Sequence, residues 1–248
     1  MSLAVLLACA SPDGVVRHGA PERGAAESVE ADSPVAADTD TSPCPEDMAP
    51  IGAICMDRYE APNREGALPL VMYTYDEAGA WCAARDRRLC TDAEWEAACS
   101  TAGADWPYGD THNPGTCNDE EIWRLYSQDQ LNGWPAAASS PDIDDLDALY
   151  AAVDALGAAD AADHVAELYQ GEAGGANPGC TADGLTFDLS GNVEEWTTRA
   201  DGGEASFHGN LKGRYWAEAR ACGSNVTTHG DSFRFYEIGF RCCWDPSL

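Results

Sequence analysis

Ten cysteines between positions 44 and 243, with an eleventh at position 9, restrict the fold open to this chain more than any other feature. Eleven thiols in 248 residues are many for a reducing compartment and point to one where bridges persist. No Cys-x-x-Cys pair occurs, so the usual sequence sign of a zinc site or a thioredoxin-like redox centre is missing. With Cys9 set aside, the remaining ten are even in number and can form up to five bridges.

Cys9 has a reading of its own. The chain opens Met-Ser-Leu-Ala-Val-Leu-Leu-Ala-Cys-Ala, in which Leu6-Leu7-Ala8-Cys9 resembles the lipobox that closes a bacterial lipoprotein signal. Residues 1–9 are then a signal segment, and Cys9 becomes a lipidated N-terminus. The apolar run is short and no Lys or Arg precedes it, departures that a start assigned too far downstream would explain. Residues 10–43 hold no aromatic side chain and are dominated by Ala, Pro, Ser, Asp, Glu and Gly. Such a stretch cannot bury enough apolar area to offset its ordering entropy, and reads as a disordered tether. The expected location is the bacterial cell envelope, periplasm or cell surface, with the protein lipid-anchored. No other apolar run approaches the roughly 20 residues that span a bilayer.

The formal charge is −29, from 43 acidic and 14 basic residues. Nucleic acid is excluded as a partner, because its recognition needs clustered Lys and Arg. Anionic membrane surfaces are disfavoured on the same ground, leaving the N-terminal anchor as the one membrane contact. Cations are the natural counterparts of such a surface.

The globular part spans 44–248. Leu70-Val71-Met72-Tyr73 reads as a short strand. Thr74 with Glu77 makes a capping box that opens a helix over 74–85, and Thr91 with Glu94 repeats the device over 91–99. These helices place Trp81, Cys82, Trp95 and Cys99 on inner faces. An acidic, Ala-rich insertion runs over about 120–171. Ser140-Pro141 is the expected start of a helix with Leu146, Leu149, Val153 and Leu156 at helical spacing, and a second helix is expected over 159–169. The clustered Asp residues there read as a solvated face. Beyond Gly171, short strand-like pieces alternate with turns.

One later segment carries chemistry. Asp188-Leu-Ser-Gly-Asn-Val-Glu-Glu-Trp offers carboxylates at Asp188 and Glu195, with backbone carbonyls at Gly191 and Val193 on a tight bend. Hard cations such as calcium take that all-oxygen mixture. A solvated acidic turn before a buried tryptophan has the same spacing, and the residues alone leave both readings open.

Six segments then line up in order: Arg88-Leu89-Cys90-Thr91-Asp92-Ala93-Glu94-Trp95; Pro107-Tyr108-Gly109-Asp110; Cys117-Asn118; Gly184 to Trp196; Leu211-Lys212-Gly213-Arg214-Tyr215-Trp216; and Ile238-Gly239-Phe240-Arg241-Cys242. Together they resemble the formylglycine-generating enzyme family, also called sulfatase-modifying factor domains, and in particular its cysteine-rich bacterial branch. The resemblance covers about 44–244. It implies an α+β, C-type-lectin-like fold with little regular secondary structure, stabilised by disulfides. It also implies bridges Cys82 with Cys242 and Cys99 with Cys222. The remaining six are less determined, and proximity of motifs suggests Cys44 with Cys55, Cys117 with Cys180, and Cys90 with Cys243.

The resemblance further implies calcium held by the Asp188 side chain, the Gly191 and Val193 carbonyls and the Glu195 side chain. A second family site would begin at Asn118 and the Asp119 carbonyl, its later ligands falling in the insertion. The family enzyme oxidises a substrate cysteine to formylglycine with copper held by two thiolates spaced Cys-x-x-x-x-Cys, shortly after a Gly-Gly-Ser-Trp segment. Soft thiolates select Cu(I), so both are needed. Here the matching stretch, 212–221, contains no cysteine, and Cys222 matches the structural bridge partner. Calcium rather than copper or iron is therefore the expected cofactor. The histidines at 18, 112, 164, 208 and 229 form no metal-binding pattern, and no Gly-x-Ser-x-Gly elbow is present. Two function classes remain: an exported, calcium-stabilised, non-catalytic or divergent domain presenting a cleft to a ligand, peptide or protein partner, or an oxidoreductase of the same family using a different site.

Overall fold

A computed structural model describes residues 43–100 and 103–246. The signal segment, Cys9 and nearly all of the tether lie outside them. Two short helices and small sheets make up the framework. Strands β1 (Met48–Ile51), β2 (Ile54–Asp57), β3 (Arg88–Leu89) and β9 (Cys242–Trp244) form an antiparallel sheet ordered β1-β2-β9-β3. Strands β4 (Glu194–Thr198), β5 (Gly209–Lys212) and β8 (Ile238–Phe240) form a second, ordered β5-β4-β8, in which β4 and β8 run parallel with Trp196 opposite Phe240. Strands β6 (Arg214–Tyr215) and β7 (Glu218–Ala219) make a hairpin.

Both capping boxes form. Helix α1 (Tyr75–Ala83) is capped by Thr74 and Glu77, and α2 (Asp92–Cys99) by Thr91 and Glu94, each pair satisfying two N–H groups that a helix start leaves bare. Trp81, Trp95, Trp196 and Trp216 are fully buried. Trp81 meets Phe240 edge-on at 5.3 Å, and Tyr73 meets the same ring at 5.2 Å.

Residues 70–73 are buried but are not a strand. Met72 takes φ +65°, which breaks the extended run, and its neighbours bond elsewhere. Leu70 N–H donates to the Ala61 carbonyl, while Ser139 and Trp196 donate to the carbonyls of Met72 and Tyr73. Side chains from the insertion and from β4 thus replace a ladder.

The insertion contains α3 (Gln128–Leu131), α4 (Leu146–Ala155) and α5 (Ala159–Leu168). Its helix begins at Leu146, not at Ser140-Pro141, because Asp145 caps the N–H groups of Asp147 and Ala148. Leu156 lies just past the helix and is half exposed. Leu146, Leu149, Val153, Val165 and Leu168 join the main core, and Trp81 Nε1 donates to the Ile143 carbonyl at 2.6 Å. Asp142, Asp144, Asp147, Asp154 and Asp160 face solvent.

Five disulfides close the described domain: Cys44–Cys55, Cys82–Cys242, Cys90–Cys243, Cys99–Cys222 and Cys117–Cys180. Each joins two cysteines that the sequence reading sets together. Such a count belongs to an oxidising, extracytoplasmic environment. Among the described residues no helix is long and apolar enough to cross a membrane.

Candidate functional site

The segment 188–196 enters β4 through a tight bend, with Asp188, Gly191 and Asn192 at φ +61°, +73° and +52°. At Gly191 a β-carbon would sit 2.2 Å from the Asn118 carbonyl oxygen, so the backbone can approach only because glycine has none. Asn192, which the sequence reading passed over, clamps the bend. Its N–H donates to the Asn118 carbonyl at 2.7 Å and its carbonyl accepts from Trp216 N–H at 3.0 Å. Its Oδ1 accepts from Glu172 N–H, and its Nδ2 donates to Glu60 Oε1 at 3.0 Å.

Three buried carboxylates gather here against one guanidinium. Glu195 is bound by Arg241 through both oxygens, Nε to Oε2 at 2.7 Å and Nη2 to Oε1 at 2.6 Å, and Trp95 Nε1 adds a bond to Oε2 at 2.9 Å. Asp188 accepts the Gly175 N–H on Oδ2 at 2.8 Å. Glu60 is buried, and its Oε2 has no hydrogen-bond partner. Burial pushes Asp188 up to about 6, against the Gly175 N–H and Arg241, which favour its ionised form. Burial and the neighbouring Asp188 push Glu60 well above the usual carboxylate range. Two negative charges go unmatched when all three carboxylates are ionised, so the donor chemistry fits a hard dication. Asp188 and Glu195 are the ligating side chains of the expected set. Among the described residues no three His, Cys, Asp or Glu side chains form a group that could hold a metal, so an ion here would need the Gly191 and Val193 carbonyls as well.

At the second expected site the side chains of Asn118 and Asp119 are engaged in local hydrogen bonds. Asn192 Oδ1 must accept, because Glu172 N–H points at it, and Asn118 therefore presents Nδ2 to it and to the Gln170 carbonyl. Asp119 gives its carboxylate to His112 Nε2 at 2.7 Å and to Gly115 N–H.

A second charged face forms at the β6–β7 hairpin. Arg214 reaches Glu194 at 3.1 Å through Nη1 and Glu218 at 2.6 Å through Nη2, and Arg220 also holds Glu218 at 3.0 Å. Arg214 sits at φ +60°, a conformation that costs a bulky residue about 1–3 kcal/mol. Beside this network Glu237 is buried with Oε2 unpartnered, and burial with the nearby Glu194 pushes it up to about 8. His229 stacks on Phe233 at 4.0 Å, and burial with the nearby Arg214 charge pushes its pKa down. The ladder continues from Phe233 to Phe235 to Tyr126. His208 is held separately, Nδ1 against Asp231 Oδ2 at 2.6 Å. The sequence reading named none of Glu60, Glu194, Arg214, Glu237 or Arg241 as a site residue. Arg214 alone left a legible signal, an arginine in place of the second glycine of Gly-Gly-Ser-Trp.

A profile of the sulfatase-modifying factor enzyme 1-like domain matches residues 53–246, well over half of the chain. The chain belongs to that family. Among solved structures it is similar to the Treponema denticola variable protein 1, at 18% identity and a TM-score of 0.36, over 64% of this chain. It spans about half of that protein, 48% of its length. No curated protein sequence matches it.

As a sulfatase-modifying factor domain, the chain has the α+β, C-type-lectin-like fold of its family, braced by bridges. The β6–β7 hairpin, within the cysteine-free stretch 212–221, contains ion pairs. Arg214, Glu218 and Arg220 pair with one another there and with Glu194 of β4, and Cys222 is spent on Cys99.

Proposed function

We propose that this chain is an exported, non-catalytic member of the sulfatase-modifying factor family, calcium-stiffened beneath the 188–196 bend, whose β6–β7 face receives a ligand. One observation carries the reading: the stretch 212–221 contains no cysteine, and its hairpin is filled instead by Arg214, held at φ +60° between Glu194 and Glu218. A guanidinium is a hydrogen-bond donor with no lone pair for a metal, so the face is suited to recognition rather than to oxygen chemistry. Half-buried aromatic side chains flank it at Phe233 and Phe235, as at many binding surfaces. Calcium would be held by Asp188, Glu195 and the carbonyls of Gly191 and Val193, and would supply the positive charge that Arg241 alone does not. Arg241 and Trp95 orient Glu195, and Asn192 fixes the bend that brings Asn118 against it. Lipid anchoring through Cys9 would hold the domain at the cell envelope.

Metal analysis of the purified, oxidised protein, together with oxygen uptake on a cysteine-containing peptide, tests the non-catalytic reading. The expected result is no copper and no uptake. Stoichiometric copper with oxygen consumption would establish the oxidoreductase reading in its place.

A further inference from the structure

One stretch of the insertion plays no part in either cluster. Among the described residues, Ile122, Trp123 and Leu125 are the densest run of exposed large apolar side chains, at 82%, 45% and 84% exposure. Isolated exposed apolar residues are ordinary, but three within four positions concentrate apolar surface in one short strip of chain.

The backbone under the strip is pinned. Glu121 N–H donates to the Trp216 carbonyl at 2.8 Å, Gln170 Nε2 to the Ile122 carbonyl at 3.1 Å, and Ser127 N–H to His164 Nε2 at 2.8 Å. Arg124 spends its guanidinium on the Glu167 carbonyl. Trp123 packs edge-on against Tyr126 at 5.9 Å, and Tyr126 against Phe235 at 5.0 Å, which joins the strip to the aromatic ladder of the β6–β7 face. A backbone already fixed loses little further entropy on binding, so only side-chain ordering remains to be offset.

Charge decides among occupants. Glu120 and Glu121 directly precede the strip and are exposed, as are Asp129 on α3 and Glu167 on α5. A second copy of the chain would bring a net −29 against another −29. An anionic lipid surface meets the same repulsion. A cationic segment meets four exposed carboxylates against the single positive charge of Arg124, which is turned onto the Glu167 carbonyl, and apolar contact at Ile122, Trp123 and Leu125, the arrangement of a productive interface.

We propose that the strip of Ile122, Trp123 and Leu125 docks a partner peptide carrying alternating apolar and basic residues. Its apolar side chains meet the strip, and its Lys or Arg side chains meet Glu120 and Glu121. This deepens the binding-domain reading and rests on it.

The full, oxidised chain is titrated with three synthetic peptides of equal length: alternating Leu and Lys, alternating Leu and Glu, and alternating Ser and Lys. The Leu/Lys peptide is expected to bind at least tenfold more tightly than either other. The Ile122→Ser/Leu125→Ser variant is expected to lose at least tenfold in affinity for it with an unchanged melting temperature, since both side chains are exposed. Glu120→Gln/Glu121→Gln is expected to weaken binding and flatten its salt dependence. Equal binding of the Ser/Lys or Leu/Glu peptide would overturn the proposal, as would full affinity in the Ser variant. A dimer, or binding to phosphatidylcholine vesicles, that the Ser variant abolishes would assign the strip to a second copy or to lipid instead. Copper and oxygen uptake are measured on the same preparation. A copper-loaded, oxidising protein that still binds the peptide refutes only the non-catalytic reading, whereas a copper-free protein indifferent to all three peptides refutes only this one.

Discussion

Arg241 meets Glu195 through two parallel N–H donors and sends further bonds to the carbonyls of Asp57, Arg58 and Phe187. Both partners are buried, so the pair contributes little net stability relative to apolar residues of the same shape, yet breaking it strands a charge. Arg241→Met is expected to cost about 3–5 kcal/mol, read as a fall in denaturant midpoint. The double variant Arg241→Met/Glu195→Leu should recover part of that loss, and equal midpoints for single and double variants would mean that the lost carbonyl bonds dominate. Glu237 poses the opposite question. Its folded-state pKa, about 8, lies above its ordinary 4.5, so the folded protein holds the proton more tightly than the unfolded chain. The stability this group contributes is complete below pH 4.5 and lost as pH rises through 8. Glu237→Gln keeps the neutral form at every pH, so its melting-temperature advantage over the parent should widen between pH 5 and pH 8.5. Parallel curves would remove Glu237 as the source.

At the scale of elements, the bridges act as a set. Cys82–Cys242 and Cys90–Cys243 start eight positions apart and end at adjacent residues, so with one closed the other closes a loop of only about ten residues. The chain-entropy model then gives about 3 kcal/mol for removing either alone. With both removed and Cys99–Cys222 intact, the remaining loop is about 40 residues and the joint loss is about 7 kcal/mol, more than the sum. Urea denaturation of the Cys→Ala pairs, singly and together, measures this, and simple additivity would refute the nested-loop account. The helices were legible for a local reason: Thr74 with Glu77, and Thr91 with Glu94, make their contacts within four residues. Residues 70–73 were not, because a buried apolar run looks the same whether its hydrogen bonds go to a ladder or to Ser139 and Trp196. The start of α4 was misplaced because Ser140-Pro141 and Asp145 are both competent caps, and only packing of Leu146 chooses between them.

Over the whole molecule, the acidic excess explains why the charged sites were hidden while the 188–196 segment was not. Glu60 and Asp188 lie 128 positions apart, and Glu194 and Glu237 lie 43 apart, so among 43 acids no spacing rule selects these four. The bend itself was visible because Asp188, Gly191 and Glu195 are neighbours in the chain. Its charge balance belongs to the tertiary fold. Glu60, Asp188 and Glu195 face Arg241, three carboxylates to one guanidinium, in a region closed to water. A bound dication would leave all three ionised and compensated, and because it binds only the assembled bend it would stabilise the folded state by mass action. At a hundredfold excess over its dissociation constant that gain is about 2.7 kcal/mol. For a domain of this size, 1 kcal/mol shifts the melting temperature by about 2–4 °C. Calcium is therefore expected to raise the melting temperature by about 5–10 °C over the value in chelator. Magnesium should give a smaller shift, because it demands a tighter octahedral shell than a bend rich in carbonyls provides. Asp188→Asn should abolish the calcium shift, and Glu60→Gln should raise stability in chelator at neutral pH and above, where the parent must either take up a proton at Glu60 or bury an uncompensated carboxylate. Equal melting temperatures with calcium and with chelator would leave Arg241 as the only cation the bend requires.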